Sequence, residues 1–161
     1  MKLARHLLAL ASAVALTAAC SKPVPDADAV PRTESHLEQM EEKAMKIKIV
    51  AGDRTLTARL DDSAAGRDFA ALLPLDLTLR DYNRTEKIAD LPQRLSTEGA
   101  PEGYEPVTGD IAYYAPWGNV AIFYRGFDYS RGLVPFGRID QDGSEISRIE
   151  GLVRIEKAPI E

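Results

Sequence analysis

The amino-acid sequence predicts a mainly β domain, a closed or nearly closed antiparallel barrel with a short helix. Three observations predict it. From residue 45 onward, short runs alternate apolar and polar residues; Gly, Pro, Asn and Asp separate them; and one stretch carries clear helical spacing. A length of 161 residues without internal repeats suits one core rather than two.

Taken in order, Lys46 to Val50 alternate, Ala51-Gly52-Asp53 offers a turn, and Thr55 to Leu60 alternate again, which predicts a hairpin. Asp61, Asp62 and Ser63 are helix-capping residues. Ala65, Phe69, Leu72 and Leu73 follow at helical spacing and Pro74 ends the run, so a short amphipathic helix should pack its Phe69 face on the sheet. Leu75, Leu77 and Leu79 alternate with Asp76, Thr78 and Arg80, a strand with one buried face. Residues Asp81 to Val107, rich in Pro and Gly, read as a long loop with a small apolar pair at Ile88 and Leu91. The segment from Gly109 to Tyr124 gives two aromatic β runs about a Pro116-Trp117-Gly118-Asn119 turn. Gly132 to Ile139 is a further strand, Asp142-Gly143 a turn, and Gly151 to Lys157 a closing strand.

The first 19 residues have a different character. Lys2 and Arg5 precede the apolar run Leu7 to Leu16, and Thr17-Ala18-Ala19 is a small-residue exit, which together form a secretory signal too short to remain as a membrane span. Small residues ending in Cys20 resemble the bacterial lipoprotein signal, although Thr17 stands where that pattern prefers leucine. Lipidation of Cys20 is therefore expected, and plain cleavage after Ala19 is the alternative. Each buried methylene of an acyl chain contributes about 0.8 kcal/mol, so two or three chains hold firmly where one does not. Ser21 after the cysteine resembles the sorting signal for the outer membrane of Gram-negative cells, which would place the domain at its periplasmic face. Residues 20 to 44 carry Pro23, Pro25 and Pro31 and then a glutamate-rich stretch, and read as a tether with a root-mean-square span of roughly 25 to 30 Å. The barrel domain is assigned to residues 45 to 161.

The order of the pieces resembles the cyclophilin fold, an eight-stranded barrel with one or two short helices at its ends. The hairpin and helix from Lys46 to Leu73, with Phe69, look like the cyclophilin start. Leu73 to Leu75, Asp81-Tyr82, Glu86 to Ile88, Leu91-Pro92, Gly109 to Tyr124 and Gly132 to Gly137 resemble recurring elements of the bacterial cyclophilin-like domain family. Cyclophilins isomerise X-Pro bonds, whose uncatalysed barrier is ~18 to 20 kcal/mol. The resemblance implies an apolar pocket and an arginine from a Phe-His-Arg run on the strand after the first helix. That strand here ends Leu79-Arg80-Asp81-Tyr82, without the run, and Arg80 is the stand-in by location alone.

Arg80 is thus the catalytic candidate, against the plain reading of an ion-paired surface arginine. Tyr113, Tyr114, Trp117, Phe123 and Tyr124 are the candidate ligand-binding residues, with one member of each adjacent pair expected in the core and Trp117 weighed as a cap on its hairpin. Cleavage before Cys20 would leave His36 as the one histidine, so no Ser-His-Asp or Cys-His system and no His/Cys metal cluster can be assembled. Phosphate-binding glycine motifs are absent too, and no metal or cofactor is expected. A net charge of −5 argues against a nucleic-acid partner. The expected partners are the membrane, through lipidated Cys20, and a peptide, small ligand or envelope protein. Two activities follow: binding without efficient isomerase action, or peptidyl-prolyl isomerisation. A third reading is an accessory factor that acts by contact.

Overall fold

The computed structural model describes residues 44–159. The signal, Cys20 and the tether read in residues 1–43 lie outside the described residues. Ten strands and two helices follow in order: β1 (Met45–Ala51), β2 (Arg54–Leu60), α1 (Ala64–Ala71), β3 (Leu75–Tyr82), β4 (Glu86–Asp90), β5 (Gly103–Tyr104), β6 (Asp110–Tyr114), β7 (Asn119–Phe123), β8 (Ser130–Arg131), β9 (Leu133–Ile139), α2 (Gly143–Ser147) and β10 (Gly151–Lys157). Eight strands close an antiparallel barrel in the order β1-β10-β3-β4-β7-β6-β9-β2, and β5 pairs with β8 in a separate two-stranded ribbon. Closure leaves no free barrel edge to recruit another strand.

Alternation decides what fills the barrel. Ile47 and Ile49 of β1, Leu56, Ala58 and Leu60 of β2, Leu77 and Leu79 of β3, and Val153 and Ile155 of β10 point inward and are buried. Each end has a helix. Ser63 caps α1 by accepting from the Gly66 amide, and Phe69 packs against Phe136 of β9 with ring centroids 5.0 Å apart. Asp142 caps α2, which brings Ile146 into the same core. At Gly137 a side chain would stand 2.7 Å from the Arg59 carbonyl, so β9 approaches β2 closely only because that residue has no Cβ.

Two sequence expectations need correction. The supposed loop from Asp81 to Val107 contains β4, a central barrel strand between β3 and β7, as well as β5. Its pattern was hidden because an inward position is taken by Lys87, a charged residue, while Ile88 faces outward into a second apolar cluster. The turn at Asp142-Gly143 is the start of α2.

Candidate functional site

The outer face of β3, β4, β7 and β6 gathers the chemistry-bearing side chains. Cross-strand register aligns Arg80 with Ile88, Ile88 with Ala121, and Ala121 with Ala112, a row that crosses the four strands on one face. One step along, Tyr82 aligns with Glu86 and Glu86 with Phe123; on the other side Asp90 aligns with Asn119 and Asn119 with Tyr114. Ile88, Ala112, Ala121, Phe123 and Leu133 form an apolar cluster outside the barrel, with Tyr104 and Tyr114 packed on it.

Trp117 comes to this face from the β6–β7 turn. The amides of Trp117 and Gly118 both donate to the Tyr114 carbonyl, and Gly118 adopts φ 77°, so the chain reverses tightly. The indole sits edge-on to Tyr82 at 5.6 Å and 88°, and to Tyr114 at 5.3 Å and 80°. Such edge-to-face pairs are worth about 0.5 to 1.5 kcal/mol beyond area burial. Trp117 nevertheless remains 56% exposed. Arg80 and Trp117 therefore share one sheet face, and the Arg80 guanidinium lies 3.5 Å from Asp90.

Of the residues picked from sequence, Tyr114, Trp117 and Arg80 come together here. Tyr113 is 1% exposed inside the barrel and Phe123 is 2% exposed in the outer cluster, so neither ring is offered to a ligand. Alternation places these two rings on opposite faces of the sheet, and both faces are covered. Tyr124 lies half-buried at the barrel mouth and donates its hydroxyl to Asp81 at 2.8 Å. Tyr82 was missed, although its spacing of two from Arg80 already put both on one side of β3.

The barrel mouth next to this face carries a polar network. Lys87 points inward and is 2% exposed, with its ammonium 3.0 Å from Asp81 and 3.5 Å from Glu150. It also lies 5.7 Å from the centre of the Tyr124 ring, within cation–π range. Burial pushes the Asp81 carboxyl upward, but hydrogen bonds from Lys87 and Tyr124 and the Lys87 charge outweigh it and hold the group below its usual value. Burial, and then the hydrogen bond to Asp81, push the Tyr124 phenol up to about 12. Burial, with the Asp81 charge second, pushes Glu86 up to about 7. Tyr113 Oη and Asn119 Oδ1 are buried without a hydrogen-bond partner, both at the β6–β7 hairpin.

The described residues contain no group of three or more His, Cys, Asp or Glu side chains placed to hold a metal ion. No helix among them is long and apolar enough to cross a membrane.

A family model described as the cyclophilin-like family matches residues 49–156. Among solved structures, the chain is similar to the solution structure of a hypothetical protein from Archaeoglobus fulgidus, with 19% identity and a TM-score of 0.50, covering 71% of this chain and 95% of the other. At that identity the likeness speaks for the fold alone. No curated protein matches the chain.

Proposed function

Because the chain belongs to the cyclophilin-like family, we propose that its barrel binds a peptide segment or small ligand on the outer face of β3, β4, β7 and β6, without efficient isomerase action. The observation that carries this reading is the half-exposed Trp117 braced by Tyr82 and Tyr114 on the strand face that bears Arg80. Braced rings offer flat apolar area at little entropic cost, which suits a proline ring or a similar apolar group. Arg80 would donate to a carbonyl of the ligand. Its ion pair with Asp90, together with the missing Phe-His-Arg run, supports weak rather than efficient twisting of an amide.

Trp117 is the only tryptophan, so its emission reports on this face directly. Titration with short X-Pro peptides should change that emission saturably, and Tyr82→Ala should weaken the apparent affinity about tenfold, the loss of about 1.4 kcal/mol. A proline-isomerisation assay on the same protein should show little acceleration. Rapid isomerisation abolished by Arg80→Ala would replace this reading with a peptidyl-prolyl isomerase that assists envelope protein folding. No response to any peptide, together with co-purification of a membrane complex that the Tyr82 and Trp117 variants lose, would favour an accessory factor acting by contact.

Lipidated Cys20 would tether the domain in the bacterial cell envelope, at the periplasmic face of the outer membrane in a Gram-negative host, and the residues at 17–21 support it. Metabolic labelling with a fatty-acid analogue should mark the wild type and not Cys20→Ala, and the variant should move to the soluble fraction. Equal labelling of both proteins would remove the anchor from the proposal.

A further inference from the structure

The arginines of this acidic protein are largely paired. Arg54, Arg59, Arg67, Arg80, Arg131, Arg138, Arg148 and Arg154 each lie within ion-pair distance of a carboxylate, and Arg94 donates to the Ala115 carbonyl. Among the described residues, the guanidiniums of Arg84 and Arg125 form no such pair. These two line a single open cleft of about 510 Å³ at the barrel mouth, together with Asp81, Asn83, Thr85 and Gly126.

The walls of the cleft are fixed by the fold. Asn83 and Arg84 both adopt left-handed backbone angles, φ 51° and 53°, in the tight turn between β3 and β4. Glycine is the low-strain choice at the second of these positions, and a side chain there costs about 1 kcal/mol. The turn is held by the Arg84 amide donating to Asp81 Oδ1 at 3.2 Å and by Thr85 Oγ1 donating to the Asn83 carbonyl at 3.1 Å. Beside this turn, the Tyr124 and Arg125 amides both donate to the Thr85 carbonyl, and the Arg125 guanidinium lies 6.0 Å from the centre of the Tyr124 ring. Asp81 contributes a negative charge to the cleft, but the Lys87 ammonium and the Tyr124 hydroxyl already compensate its Oδ2. What the cleft has left to satisfy is positive.

We propose that this cleft is an oxyanion-binding site, in which Arg84 and Arg125 together hold a carboxylate or phosphate group. Guanidinium forks match the geometry of both anions, and two of them lining one cleft give more affinity than either alone. The inference stands on the cleft and is independent of ligand binding by the aromatic face.

The test uses the whole protein at low ionic strength, titrated separately with inorganic phosphate and with succinate while backbone amide shifts are followed. Shifts at residues 83–86 and 125–126 should saturate. Arg84→Gln and Arg125→Gln should each weaken the apparent affinity about tenfold, and the double variant should show no saturable response. Arg131→Gln, which changes an exposed arginine elsewhere, should bind as the wild type does, and so should Trp117→Ala, even if that variant has lost every peptide response. Tighter binding of phosphate would identify a phosphoryl ligand, and tighter binding of succinate a carboxylate. Shifts that rise without saturating, or an unchanged affinity in the double variant, would overturn the proposal.

Discussion

Asp81→Ala lowers the unfolding free energy by about 2 to 3 kcal/mol, whereas Lys87→Met lowers it by less than about 1.5 kcal/mol. The asymmetry follows from which charge is buried. Lys87 is 2% exposed, while the side chains of its partners Asp81 and Glu150 are 36% and 66% exposed. Removing Asp81 takes away the nearer counter-charge, at 3.0 Å, and leaves the buried ammonium to Glu150 at 3.5 Å. Removing the ammonium instead leaves two carboxylates that water can solvate, and Asp81 keeps the Tyr124 hydroxyl and the Arg84 amide. Methionine fills the volume of the lysine stem with an apolar, flexible chain. Urea denaturation of both variants at neutral pH measures the two values. Equal losses would mean that Lys87 is held by packing of its stem rather than by its charge.

Glu86→Gln stabilises the protein at pH 8 and changes little at pH 4. The Glu86 carboxyl, ordinarily ionising in the carboxylate range, is pushed up to about 7 in the folded chain by burial and then by the charge of Asp81. The folded state therefore binds a proton that the unfolded state has released between those two values. Stability contributed by this group is intact at the acidic end and falls as pH rises through that window, reaching its full loss above about pH 7. Glutamine resembles the protonated form and escapes the loss, which after allowance for partial exposure is about 1 to 2 kcal/mol. Asp81 has the opposite sign. Its carboxyl sits below the usual value, so its contribution is lost only as pH falls through that lowered range. Melting temperatures of the wild type and Glu86→Gln across pH 4 to 8 should diverge toward the alkaline end. Parallel curves would show that Glu86 ionises normally in the folded protein.

Half of the barrel was legible because β1, β2, β3 and β10 each bury a single face. The Leu75, Leu77, Leu79 series and the Lys46 to Val50 alternation gave β3 and β1 directly, and Ser63 with Phe69 gave α1. Two physical circumstances hid the rest. In β4 the inward residue at the barrel mouth is a compensated lysine and the outward Ile88 serves a second cluster, so polarity no longer reports direction. On β6 and β7 both faces are covered, one by the barrel interior and one by the outer cluster, so aromatic content could not separate Tyr113 and Phe123 from rings left accessible. The Arg84–Arg125 cleft had no linear signal at all. Its two arginines are 41 positions apart, and only the pairing of β4 with β7 brings them together.

The ladder between β1 and β10 aligns Ile47 with Lys157, and the Ala158 amide donates to the Lys46 carbonyl. The first and last strands thus finish side by side, on the rim of the barrel opposite the β3–β4 turn. A short peptide splicing residue 158 to residue 45 would bridge neighbouring strands, and new termini could be opened at the exposed Gly52-Asp53 turn. Such a circularly permuted chain should keep its clamp of arginines, and a surface-immobilised or fused version held by either original end would leave that mouth facing free solution.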